Sequence, residues 1–165
     1  GIGQSDNLFT LLQFSNSCST VSNGGTRYQL HLVQSLIDNS SGTVNETQPK
    51  IADSLDLHKS TLTAVKSGML LVATQGAPSL IFNQLRTEVA AKTGTSQVFV
   101  NGVKKNNGFL ITFAPYDNPE ISVASVVELA GSGTSTAEIT SSIIKYLYQN
   151  NTDEKTNQKT GALLN

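Results

Sequence analysis

Leu8, Leu11, Phe14, Cys18 and Val21 recur at intervals of three and four residues, a spacing that gathers them on one face of a helix. The helix predicted from this pattern runs from 8 to 22. Asp6 or Asn7 is its expected cap, and Asn23-Gly24-Gly25 its stop, because glycine accepts the left-handed conformation common just past a helix end. Tyr28 to Val33 then alternates apolar with polar, which predicts a strand carrying His31 on its polar, solvent-facing side. Residues 38–54 are rich in turn formers and poor in apolar content, so they read as a loop. A second helix is predicted over 57–74. Its buried stripe is Leu62, Val65, Met69 and Val72, its cap Asp56 or Ser60, and Gly76 and Pro78 break it.

The pattern then changes period. Glu88 to Val100 is rich in strand formers, and Asn101-Gly102 is a strong hairpin signal, with a longer turn through Asn106-Asn107-Gly108 as the alternative. Phe109 to Ala114 reads as a second strand and Asp117-Asn118-Pro119 as a turn. Ile121 to Leu129 is apolar or small on both phases, the pattern of a central strand covered on both faces. A final helix opens on Ser135-Thr136-Ala137-Glu138, which spells a capping box, and buries Ile139, Ile143, Ile144 and Leu147. Helices flanking a run of antiparallel strands predict an α+β fold, an antiparallel sheet with packed helices. Residues 1–149 form the expected domain, and 150–165 an expected disordered polar tail.

Composition narrows the function classes. The 165 residues suffice for one core, with 38% of them apolar and only 14% charged. A net charge of −1 excludes nucleic acid as a natural partner, because phosphate binding needs a basic face. No apolar run approaches the roughly 20 residues that span a bilayer. The first residue is Gly rather than Met, which points to a fragment or a processed chain. Cys18 is the single cysteine and falls on an apolar stripe, so it reads as a core thiol. His58 has no second ligand at metal spacing, and neither a metal nor a cofactor is expected.

One segment offers chemistry: Lys92-Thr93-Gly94-Thr95, within a predicted strand. Taken alone, the triplet could be a lysine guarding a strand edge. Its surroundings point elsewhere. Gly1-Ile2-Gly3-Gln4, Thr20-Val21-Ser22-Asn23-Gly24-Gly25, His31-Leu32-Val33, Val65 to Val72, Val89 to Val98 and Phe113-Ala114-Pro115 with Asp117 to Glu120 follow one another in order. This series resembles the C-terminal portion of the transpeptidase domain of class B penicillin-binding proteins, the serine D,D-transpeptidases that cross-link peptidoglycan. The resemblance covers residues 1 to about 148 and implies part of a β-lactamase/transpeptidase-like fold. A β-lactamase fits less well, given the G-Q turn and the F-A-P segment.

The resemblance implies a substrate peptide ending in D-Ala-D-Ala, with β-lactam antibiotics as mimics. Lys92 would face the substrate carboxylate, with the hydroxyls of Thr93 and Thr95 as further donors. Gly94 would let the substrate backbone approach, and the backbone N–H of Thr95 would supply half of an oxyanion hole. The family also needs S-x-x-K and S-x-N ahead of the K-T-G segment. Ser142-Ile143-Ile144-Lys145 spells the first but follows K-T-G and includes expected core positions. Ser5-Asp6-Asn7 spells the second but follows the G-Q turn, so it reads as helix capping. No nucleophile is therefore assigned, and it is expected on an upstream segment. The chain is expected to act as one half of an active transpeptidase, inactive alone and able to dimerise through its uncovered face. Its parent would be anchored at the extracytoplasmic face of a bacterial membrane. The competing reading is a degenerate, non-catalytic wall-peptide-binding or scaffold domain of the same fold.

Overall fold

A computed structural model describes residues 8–149. The G-Q turn, Ser5, Asp6 and Asn7, and the polar tail lie outside the described residues.

Helix α1 spans Leu11–Ser22 and begins three residues later than expected. Thr10 caps it: its hydroxyl accepts the Gln13 N–H at 3.2 Å, and the Gln13 side chain accepts the Thr10 N–H at 2.8 Å. This reciprocal box satisfies two otherwise unpaired amides, which fixes the start at Thr10 and leaves Leu8 outside the helix and exposed. At the other end Gly24 and Gly25 take φ of 91° and 108°, the left-handed stop that the sequence indicated.

The next segment departs from expectation. Strand β1 (Thr26–Tyr28) ends where the predicted strand was to begin, and Gln29 to Val33 is irregular. The segment expected as a loop carries two strands, β3 (Val44–Glu46) and β4 (Ile51–Ser54). β1 pairs with β4, and β2 (Ser35–Ile37) pairs with β3, both antiparallel. β1 and β4 are held by a partner more than twenty positions away, which local composition does not reveal, whereas β2 and β3 form a local hairpin closed across Asp38 to Thr43. His31 is exposed, as expected.

Helix α2 spans Lys59–Gln75 and starts at His58, which makes no side-chain cap bond, so neither Asp56 nor Ser60 caps it. Its buried stripe is Leu62, Met69 and Ala73. Val72 is half-buried and Val65 exposed, a correction to the expected face. Gly76 ends the helix where a Cβ would fall 2.5 Å from the Val72 carbonyl oxygen. A short helix α3 (Ser79–Phe82) follows.

The main sheet is antiparallel in the order β5 (Ala90–Val100), β6 (Val103–Ala114), β7 (Ile121–Val127). Asn101 and Gly102 form the tight turn, with φ of 51° and 76°, and residues 106–108 lie inside β6 rather than in a turn. The central strand is β6. Ile121–Val127, expected in the centre, is half-buried throughout and forms an edge of the sheet among the described residues.

Strand alternation sends side chains to two helical layers. Ala90 and Phe113 pack with Cys18 of α1 and Met69 of α2 on one face. Ala91, Leu110 and Ala114 pack with Phe82 of α3 and with Ala137 and Ile144 on the other. The hydroxyls follow the same division. Ser122 of β7 donates to the Ser15 carbonyl of α1 at 3.0 Å, whereas Ser125 meets Thr140 at 3.0 Å.

The expected capping box before the last helix does not form. Residues Gly133–Thr136 make a 3₁₀ turn, Ser135 donates its hydroxyl to the Ala130 carbonyl, and α4 runs over Ala137–Gln149. Packing against the sheet selects Ala137, Thr140 and Ile144 as the inner face and leaves Ile139 and Ile143 exposed. The architecture is α+β, as the element order indicated.

Candidate active site

Lys92, Thr93, Gly94 and Thr95 lie on the edge strand β5, opposite Ile111, Leu110, Phe109 and Gly108 of β6. A fully extended strand alternates its side chains, so Lys92 shares the α1 face with Phe109 and Ile111. Thr93 and Thr95 share the α4 face. Lys92 and Thr95 are exposed and Thr93 is half-buried. The Lys92 ammonium donates to the carbonyl of the adjacent Thr93.

Beside Lys92 lies a cavity of about 140 Å³ between the first turn of α1 and the sheet, walled by Leu11, Phe14, Phe109 and Ile111. Lys92 is the one charged residue lining it. Phe14 spans this wall, its ring centroid 6.1 Å from Phe109 and 5.7 Å from Phe9. The arrangement sets a lysine beside an apolar slot, on a strand whose outer edge carries no partner strand among the described residues. Such an edge can accept an extended peptide, and the ammonium can meet a carboxylate on it.

The 3₁₀ turn supports this strand from its other face. A Cβ on Gly108 would fall 2.1 Å from the Ser132 carbonyl oxygen, and one on Gly133 would fall 2.6 Å from the Gly94 carbonyl oxygen. The backbone of 132–133 therefore lies directly against the sheet at the K-T-G segment. A Cβ on Gly94 itself would point the opposite way, 3.3 Å from Phe109 Cβ, so a glycine there also serves the cross-strand fit.

The sequence decoys are not assembled into a site. Ser142 is exposed and donates its hydroxyl to the Glu138 carbonyl at 2.9 Å, and Lys145 is exposed on the same helix. Cys18 is buried among Met69, Ala90 and Phe113, and loss of hydration there pushes its thiol up to about 12. It remains protonated at neutral pH and is no nucleophile. No group of three or more His, Cys, Asp or Glu is placed to hold a metal among the described residues.

Lys66 is a residue that sequence reading missed. Its ammonium donates to the Ser22 carbonyl at the end of α1 (3.0 Å) and lies 5.5 and 5.8 Å from the ring centroids of Phe113 and Tyr116. It ties both helices of one layer to the far end of β6. Its partners are 44 or more positions away in the chain, and no local pattern marks it.

Comparison with known proteins bears on the family and the fold. Residues 1–145 match the family model described as the penicillin binding protein transpeptidase domain. The chain is 34% identical over 138 residues to penicillin-binding protein 2A of Bacillus subtilis, covering 76% of this chain and 19% of that protein. It is 30% identical over 171 aligned positions to the peptidoglycan D,D-transpeptidase MrdA of Escherichia coli, covering 93% of this chain and 26% of that protein. The chain thus spans about a fifth to a quarter of the length of these relatives. Its fold matches penicillin-binding protein A of M. tuberculosis, solved as a ceftriaxone acyl-enzyme complex, with a TM-score of 0.74 and 23% identity. That match covers 87% of this chain and 33% of the other. No helix among the described residues is long and apolar enough to cross a membrane.

Proposed function

As the chain belongs to the penicillin-binding protein transpeptidase domain family, we propose that it is the substrate-binding part of a D,D-transpeptidase that cross-links peptidoglycan stem peptides through an acyl-serine intermediate. The observation that carries this reading is the placement of Lys92-Thr93-Gly94-Thr95 on an edge strand beside a slot where Lys92 is the one charged group. A peptide ending in D-Ala-D-Ala adds along the outer edge of β5. Lys92 holds its terminal carboxylate through a charge-assisted hydrogen bond contributing about 1.5–3 kcal/mol, and the Thr93 and Thr95 hydroxyls are further donors along the same strand edge. The backbone N–H of Thr95 receives the developing oxyanion, a donor whose loss typically costs about 2.7–4 kcal/mol of transition-state stabilisation.

The serine attacks the carbonyl of the penultimate residue and the terminal D-Ala leaves with a proton. The amine of a second stem peptide then attacks the ester, releasing the serine and forming the cross-link. The serine, its lysine base and the S-x-N relay come from a segment outside this sequence, because Ser142 and Lys145 lie on α4 on solvent-exposed positions. β-Lactams enter as mimics of the D-Ala-D-Ala bond, and the working location is the extracytoplasmic face of the membrane.

Labelling the full-length protein with a fluorescent penicillin tests the proposal. A covalent band that survives denaturing electrophoresis is expected, competed by an unlabelled β-lactam. No band from a folded protein sinks the catalytic reading and favours the non-catalytic scaffold.

A further inference from the structure

On the face of the sheet that carries α1, cover ends partway along β6. Phe113 is fully buried there beside Cys18 and Met69, whereas Ile111 and Phe109, two and four residues back on the same face, are only half-buried. Leu110, on the opposite face of the same stretch, is buried, so the gap belongs to the α1 side. This gap is the slot beside the first turn of α1. It is not confined to the substrate strand: Lys92, Ile111 and Ala124 lie opposite one another on β5, β6 and β7, and all three line it.

That width separates two kinds of occupant. A peptide added along the outer edge of β5 stays on that side of the sheet, whereas the slot reaches inward by two strand spacings, about 10 Å. An α-helix with its side chains is about 10–12 Å across and fits that span. The cavity itself, about 140 Å³, suits one aromatic or branched aliphatic side chain. Under the proposed function, the serine must also come within about 3–3.5 Å of a carbonyl held at Thr95. Gly94, the residue before Thr95, lines the slot, so the element that delivers the serine arrives beside it. A Ser-x-x-Lys motif on a helix sets serine and lysine on one side of a turn and leaves the other sides free to pack.

We propose that the slot seats an apolar side chain of the helix that carries Ser-x-x-Lys, and that Phe14 is a positioning residue that sets the distance of the serine from Thr95. The inference rests on the transpeptidase reading and adds to it the contact that joins the two halves of the site.

The test uses the full-length protein with p-benzoylphenylalanine in place of Phe9, whose ring is more than half exposed and lies 5.7 Å from that of Phe14. Irradiation and peptide mapping should give a cross-link to the Ser-x-x-Lys helix, and the cross-link should persist after acylation by a β-lactam. Cross-linking only to residues 1–7, or only to another part of the protein, overturns the inference. A cross-link abolished by the β-lactam overturns it too, because the slot is then a ligand subsite. Phe14→Ala should slow acylation at least fivefold, in the covalent step and not in the binding that precedes it. The factor should be the same for β-lactams with small and with bulky side chains, and Phe14→Leu should recover most of the rate. An unchanged rate, or a factor that depends on the β-lactam side chain, counts against the proposal. A wild type that is labelled by penicillin while these expectations fail overturns this inference alone. A folded wild type that is not labelled overturns the transpeptidase reading as well.

Discussion

Gly133 lies so close to Gly94 that a Cβ added to it would stand 2.6 Å from the Gly94 carbonyl oxygen, 2.9 Å from the Gly94 nitrogen and 2.3 Å from the Phe109 carbonyl oxygen. All three atoms are backbone, so no flexible side chain can yield. Gly133→Ala should therefore push the 3₁₀ turn off the strand or bend β5 at the K-T-G segment. The expected cost is about 1–3 kcal/mol of stability, typical of overpacking. Penicillin acylation should slow in the full-length protein although no substrate-contacting group is changed. A variant with unaltered melting temperature and acylation rate would show that the turn does not position the strand.

Lys92→Ala separates chemistry from folding. Lys92 is exposed and its one internal bond is to the neighbouring carbonyl, so the melting temperature should barely move. The acylation rate by a β-lactam should drop at least about tenfold, the loss of roughly one charge-assisted hydrogen bond to a carboxylate. Thr95→Val, which keeps the backbone N–H, should cost less. An unchanged acylation rate in folded Lys92→Ala would remove Lys92 from the site.

Lys66 should behave in the opposite way. Lys66→Met keeps the aliphatic stem but removes the bond to Ser22 and the cation–π contacts with Phe113 and Tyr116. Denaturant unfolding should show a loss of about 1–2 kcal/mol, most of it recovered by Lys66→Arg. Equal stability of the Met variant and the wild type would contradict the bridging role.

Cys18 offers a probe of the core. With its thiol near 12, it should resist an aromatic disulfide reagent at pH 8 in the folded protein and react fully once unfolded. Because burial raises the folded value above the unfolded one, Cys18 leaves stability independent of pH below about 9. Between about 9 and 12 the unfolded thiol ionises while the folded one does not, so stability falls with rising pH. Fast reaction without unfolding would show that the layer of Cys18, Met69 and Phe113 opens readily.

The 165-residue chain on its own should form no penicilloyl adduct, since no S-x-x-K precedes its K-T-G segment. It should also bind a hydrophobic dye or self-associate, because Phe9 and Leu12 are more than half exposed at the start of α1. A stable labelled band lost in Ser142→Ala would return that serine to consideration.

Where a short stretch carries its own instructions, the sequence alone sufficed. Asn101-Gly102 specifies its turn because both residues tolerate positive φ, and Lys92-Thr93-Gly94-Thr95 was legible as a strand segment from its apolar neighbours. Helix α2 was legible from its period, although not its buried face. Ala73 rather than Val65 turns inward because the sheet and α3, not hydrophobicity, decide which side is covered. Only tertiary structure decided the rest. The pairing of β1 with β4 joins residues more than twenty positions apart, and the bond from Lys66 to Ser22 spans 44. The 3₁₀ turn replaced the Ser135 capping box where residues 132–133 pack against Gly94 and Gly108. Hydrogen-bond partners and close backbone contacts of this kind are supplied by distant chain segments, so no local pattern of residues encodes them.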